Sequence, residues 1–172
     1  MADPAPVPIA GAASAASAPG TAPRLIALVT GGTSGVGRSM LPALISAGYF
    51  VYFIGSSEAR GRVVEAELNA EHRAGGHEER PVCAFQPLDM SKLKAVQAFC
   101  QDFATRVPHL NLLANIAGVV LPQRTVEAET GLEKTLSIGH LAAHLLTREM
   151  VRNHSFAPCN QTHLACALCH AT

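Results

Sequence analysis

Residues 25–39 read LIALVTGGTSGVGRS. The first part, Leu25–Thr30, is an apolar run rich in β-favouring side chains. Glycines follow at 31, 32, 35 and 37, and helix-compatible sequence then runs from Gly37 to Ser46. Strand, glycine turn and helix therefore arrive in that order. Glycine lets the backbone take positive φ and approach a ligand closely, and the free N–H groups at a helix N-terminus attract an anion. The stretch predicts a phosphate cradle: Gly31, Gly35 and Gly37 are its key positions, and Thr33, Ser34 and Val36 are the residues between them.

Working outward, the same texture repeats. Apolar runs at Phe50–Ile54, Val82–Phe85 and Leu110–Asn115 alternate with helix-length segments at Glu58–Glu71 and Leu93–Arg106. In the last of these Leu93, Val96, Phe99, Cys100 and Phe103 recur three and four residues apart, which marks one buried face, and Ser91 is the expected N-cap. A fourth helix is expected from about Gly131 to Met150. The alternation predicts an α/β fold with a parallel sheet, flanking helices and right-handed crossovers. Residues 1–23 are Ala/Pro-rich and are expected to form a disordered tail; residues 24–152 form the domain; residues 153–172 are expected to be irregular.

Gly32 to Ser39 also reads as G-x-x-x-x-G-Arg-Ser, one residue away from the P-loop of nucleotide hydrolases. Arg38 stands where that loop needs a compact ammonium on the terminal phosphates, and a planar guanidinium is a poor substitute. The spacing of Thr30, Gly31, Gly35 and Gly37 instead resembles the T-G-x-x-x-G-x-G motif of the short-chain dehydrogenases/reductases, a family of Rossmann-type fold. Four further segments are similar to that family in order and spacing: the second strand, Gly48 to Gly55, which ends where the resemblance places the adenosine ribose; Leu88 to Ser91 after the third strand; Leu113 to Val119, which closes the fourth; and Gly131 to Thr147, which resembles a helix of its retinol-dehydrogenase-like members.

The resemblance implies a dinucleotide cofactor. It places Asp89 at the adenine ring and Asn115, Ala117 and Gly118 near the nicotinamide ribose, with Ile116 replacing the family's second asparagine. An NAD-selecting enzyme places a carboxylate at the end of the second strand, where it binds the ribose hydroxyls and repels a 2′-phosphate. Here that position is Gly55, followed by Ser56 and Ser57, with Arg38 or Arg60 as possible charge partners. NADP(H) is therefore expected over NAD(H). Glu58 supports the opposite reading, since it falls about 20 residues past the turn.

The same resemblance exposes what is missing. The family's catalytic asparagine aligns with Gly139, no serine is assignable, and no Tyr-x-x-x-Lys occurs: the tyrosines are Tyr49 and Tyr52, and no lysine follows Lys134. No catalytic residue is assigned. General acid chemistry needs a tuned donor, so weak or absent activity is expected of a chain that reads as a C-terminally truncated family member. A non-catalytic nucleotide-binding or partner-binding module is the alternative, and a P-loop-like hydrolase a weaker one.

Thirteen basic and thirteen acidic residues cancel, so nucleic acid and anionic membrane are not expected partners. The N-terminus reads as neither signal nor transit peptide, no apolar run reaches membrane-spanning length, and a cytoplasmic setting with reduced thiols is expected. Cys83 and Cys100 read as core packing. Cys159, His163, Cys166, Cys169 and His170 include a C-x-x-C-H string, but without an export route haem attachment is not expected, and no metal site is assigned there or at His140 and His144.

Overall fold

The computed structural model describes residues 24–76, 80–153 and 163–166, the last as backbone only. Five strands, β1 (Leu25–Thr30), β2 (Tyr49–Gly55), β3 (Cys83–Pro87), β4 (Leu112–Asn115) and β5 (His163–Cys166), form one sheet in the order β3-β2-β1-β4-β5. Every pairing is parallel, with Thr30 opposite both Ile54 and Asn115 at the carboxyl end. The strand order reverses between β1 and β4, and in such sheets the crevice at the reversal is where ligands bind.

The helices are α1 (Gly35–Ser46), α2 (Glu58–Ala74), α3 (Leu93–Arg106), a short α4 (Lys134–Leu136), a π-helical turn at Ser137–Leu141, and α5 (Ala142–Asn153). Alternate residues of the strands divide the core into two layers. Leu41 of α1 and Val64 of α2 pack with Ala27, Val29, Val51, Phe53 and Phe85 on one face. Val96, Phe99, Cys100 and Phe103 of α3 join Ala142, Leu146 and Met150 of α5 against Ile26, Leu28, Phe50, Tyr52 and Ile54 on the other. The helices thus change face where the strand order reverses, as right-handed crossovers require.

The edge strand β3 is screened by α2: the Asn69 side-chain oxygen accepts from Val82 N at 2.8 Å, and Glu65 Oε1 accepts from Phe85 N at 3.1 Å. Edge groups that would otherwise invite another strand are satisfied from within the chain.

Three local expectations are corrected. The helix expected from Gly131 starts at Lys134, because Gly131 lies at φ +70° and the Glu133 carboxylate accepts from Thr135 N and Leu136 N at 2.9 and 2.7 Å, which fixes the cap. Its next turn widens to a π-turn that contains Gly139. Ser91 does not cap α3: its hydroxyl is committed to Asp89 Oδ1 at 2.8 Å, and Lys92 takes the cap position. Within the segment expected to be irregular, His163–Cys166 pairs with β4, since the free edge of β4 offers ladder groups that an extended segment satisfies. The Ala/Pro-rich stretch before residue 24, Ser155, Cys159, Cys169 and His170 lie outside the described residues, as do the side chains of His163 and Cys166.

Candidate functional site

Loops from the carboxyl ends of β1 to β4 enclose a cleft of about 440 Å³. The turn after β1 contributes Gly31, Thr33, Ser34, Gly35, Val36 and Gly37; the end of β2 and the start of α2 contribute Ile54, Gly55, Ser56 and Arg60; the loop after β3 contributes Leu88, Asp89 and Met90; the loop after β4 contributes Ile116 to Val119; Ile138 of the π-turn closes the wall.

The glycine turn is held from below. Gly31 N and Gly32 N both donate to Ile54 O, at 3.0 and 3.1 Å, which ties the turn of β1 to the neighbouring strand. Gly31 and Gly35 have φ values of +73° and +52°, a region that L side chains disfavour. A Cβ on Gly37 would lie 2.7 Å from the Gly31 carbonyl carbon and closer still to its oxygen. The first turn of α1 therefore sits directly on the strand end. Its N-cap, Ser34, makes no side-chain capping bond, and no acidic residue lies in that first turn. Helix N–H groups are left for an anion in the cleft.

Thr30 opens the glycine motif, but sequence reasoning assigned it no role of its own. Its Oγ1 accepts from Ile116 N at 2.9 Å and Ala117 N at 3.0 Å, so the loop after β4 is fixed to the end of β1. The signal for that role was its place at the head of the motif, the polar end of a strand otherwise apolar. Asp89 is likewise preset, its Oδ1 accepting from Ser91 N and Ser91 Oγ at 2.9 and 2.8 Å.

Of the sequence-predicted residues, the cleft gathers Gly31, Thr33, Ser34, Gly35, Val36, Gly37, Ser56, Asp89, Ala117 and Gly118. Ser57 and Asn115 lie outside its lining. Ser57 is the N-cap of α2, its hydroxyl accepting from Arg60 N at 3.4 Å. Asn115 donates through Nδ2 to Thr147 Oγ1 at 2.9 Å and thereby ties β4 to α5. Arg38 pairs with Glu67 of α2 at 2.5 Å and does not line the cleft, so the cation that a P-loop would require is turned elsewhere. Glu58 is also outside the lining, at 3.7 Å from Arg62.

The short chain dehydrogenase family profile matches residues 25–156. The chain belongs to the short-chain dehydrogenase family. It is 38% identical over 125 residues to polyprenol dehydrogenase of Mus musculus, an alignment that covers 73% of this chain and 35% of that protein. It is 31% identical to retinol dehydrogenase 11 of Mus musculus, with 73% and 37% covered. The chain thus spans little more than a third of the length of these relatives. A metagenomic short-chain oxidoreductase solved in complex with NADP superimposes with TM-score 0.60 at 25% identity, covering 75% of this chain and 56% of that one. A Serratia marcescens short-chain dehydrogenase/reductase shares the fold with TM-score 0.58 at 22% identity, with 76% and 51% covered.

Among the described residues of this family member, no helix is long and apolar enough to cross a membrane, and no cluster of three or more His, Cys, Asp or Glu residues is placed to hold a metal. Cys83 and Cys100 are buried free thiols, both pushed up to about 12 by burial, with Glu65 and Glu149 respectively adding to the shift. They are inert core residues at neutral pH.

Proposed function

We propose that this chain binds NADP(H) in preference to NAD(H) in the cleft between β1 and β4, and that it transfers hydride weakly or not at all. The observation that carries the binding half is the cleft itself: an anion-receptive helix start, with glycines that leave no room for a Cβ at Gly37, lies within one cavity with Asp89, Ser56 and Arg60. Thr33, Ser34 and Val36 with the α1 N–H groups would hold the pyrophosphate. Ser56 would face the adenosine ribose, Asp89 the adenine, and Ala117 and Gly118 the nicotinamide ribose. The nicotinamide, when bound, supplies or accepts a hydride.

Relatives named for polyprenol and retinol support an alcohol or its carbonyl product as the substrate class of the parent chemistry. The proton that must accompany the hydride needs a positioned donor or base. Tyr49 and Tyr52 are both on β2, Tyr52 fully buried in the core, and Tyr-x-x-x-Lys does not occur in the sequence. Gly139 stands where the resemblance places an asparagine. The same lack favours a second reading, a dinucleotide-binding module without catalysis.

Titration with NADPH and NADH, followed by the cofactor's own fluorescence, tests the binding half, and single-turnover oxidation of bound NADPH by an aldehyde tests the other. Tighter binding of NADH, or turnover at an ordinary enzymatic rate, would overturn the respective half.

A further inference from the structure

The cleft is chemically lopsided. Its four strands lie in the order β3-β2-β1-β4, so the loops after β3 and β4 stand three strand spacings apart, about 14 Å. Every polar side chain of the lining belongs to the loops after β1, β2 and β3: Thr33, Ser34, Ser56, Arg60 and Asp89. The other end is walled by Ile116, Ala117, Gly118, Val119 and Ile138, which bring no side-chain donor, acceptor or charge.

The backbone does not make up the difference. Ile116 N and Ala117 N both donate to Thr30 Oγ1, at 2.9 and 3.0 Å, and are no longer on offer to a ligand. Carbonyls at that end can take a ligand hydroxyl only in exchange for water, and a neutral bond made by such exchange has a small net worth. Burial adds little. Val119 is 39% exposed, and a Cβ on Gly118 or Gly139 would meet nothing within 4 Å among the described residues. A ring seated there keeps much of its surface in water, and the hydrophobic gain scales with the area removed from it. At the start of α1, by contrast, the first turn holds no acidic residue and its cap makes no side-chain bond, so its N–H groups can meet a pyrophosphate through charge-assisted bonds, roughly twice as strong as neutral ones.

We propose that the cleft recognises the adenosine diphosphate half of its ligand and leaves the distal group unread, so that it accepts adenosine diphosphate esters as a class, ADP-ribose among them, and does not distinguish oxidised from reduced nicotinamide. The inference rests on the dinucleotide reading above and deepens it by widening the ligand class. Charge supports the second part. Oxidation adds a positive charge to the nicotinamide ring, and the charged residues of the lining, Arg60 and Asp89, follow β2 and β3, two and three strand spacings from β4. Those are distances of about 10 Å or more, comparable with the Debye length, where exposed charges are largely screened.

Calorimetric titration of the full chain with two sets of ligands tests this: NADPH, NADP+ and the 2′-phosphate of ADP-ribose in one, NADH, NAD+ and ADP-ribose in the other. Within a set the ligands differ only in what the distal ribose carries. The expected result is that, in whichever set binds more tightly, the three dissociation constants lie less than about tenfold apart. A reduced dinucleotide that binds about tenfold or more tighter than its ADP-ribose counterpart would show that the distal end is read, and would overturn the proposal. A gap of the same size between the reduced and oxidised forms would overturn its redox-blind part. Failure of all six ligands to bind would instead refute the underlying dinucleotide reading.

Discussion

Replacing Gly37 by alanine should unfasten the glycine turn, and its size can be worked from the geometry. The added methyl would lie 2.7 Å from the Gly31 carbonyl carbon and 3.2 Å from Gly32 N, all backbone, so no side chain can swing aside. Relief requires the turn to move off the strand end, and that movement works against the bonds from Gly31 N and Gly32 N to Ile54 O. Each such bond is worth about 1 kcal/mol net, and overpacking at a tight site costs about 1–3 kcal/mol more. The total is about 3–5 kcal/mol, or roughly 10 °C in the melting temperature of a chain this size. Alanine's better helix propensity returns at most about 1 kcal/mol. Thermal melting by circular dichroism, paired with NADPH titration, measures both effects. Gly139→Ala is the matched control: a Cβ there meets nothing within 4 Å, so the same chemical change should be neutral or stabilising by up to about 1 kcal/mol. If Gly37→Ala melts and binds like the unaltered chain, the reasoning about this turn is wrong.

Three other outcomes follow from specific contacts. Thr30→Val removes the acceptor of Ile116 N and Ala117 N and should cost about 2–4 kcal/mol with loss of dinucleotide binding, whereas Thr30→Ser should retain both; denaturant titration distinguishes them. The loop at 125–136 should loosen in acid. Burial pushes the Glu127 carboxyl up, but hydrogen bonds from Glu129 N, Thr130 N and the Thr130 hydroxyl, with Lys92's charge, bring it below its ordinary value; Glu133 is lowered by Thr135 N and Leu136 N. Because folding depresses both, their support is complete above the ordinary carboxylate range and is lost as pH falls through the lowered values. Hydrogen exchange across that loop, corrected for intrinsic rates, should rise in that window, and Glu127→Gln should flatten the dependence. Cys83 and Cys100 should resist iodoacetamide at neutral pH until denaturant is added, which mass spectrometry of the labelled peptides will show.

The elements that the sequence made legible are those with a strong local signal. The apolar period of α3 matches its boundaries, Leu93–Arg106, because one face must cover the sheet. Gly31 to Gly37 was legible because backbone chemistry leaves few residues able to form such a turn. The sequence is silent at positions where a long-range partner decides. Asn115 follows the family pattern in sequence, and its Nδ2 donates to Thr147, 32 residues away, while its buried Oδ1 has no partner among the described residues. Ser57 and Ser56 are equivalent neutral donors on paper, but Ser57 caps α2 and only Ser56 faces the cleft. The choice between Arg38 and Arg60 depends on where Glu67 lies, and no local pattern encodes that. β5 has no periodicity of its own; the waiting edge of β4 selects it.

The walls of the cleft share one mode of support: each is tied to the strand beside it. The turn after β1 hangs from Ile54 O of β2, Leu88 N of the loop after β3 donates to Gly55 O of β2, and the loop after β4 is held by Thr30 of β1. The geometry of the cleft is therefore built by β1 to β4 and their parallel register, independently of any proton relay. Glycines at the two ends of this arrangement serve different tasks. Gly61 in α2 admits the ring of Phe85 and lets helix pack on sheet, while Gly55 admits Thr33 and shapes the ligand corner. Substitution at Gly61 should thus act on the fold first and on the cleft only through it. Since a ligand stabilises the state that binds it by RT ln(1 + [L]/Kd), the dinucleotide that raises the melting temperature more at equal concentration is the one the cleft prefers.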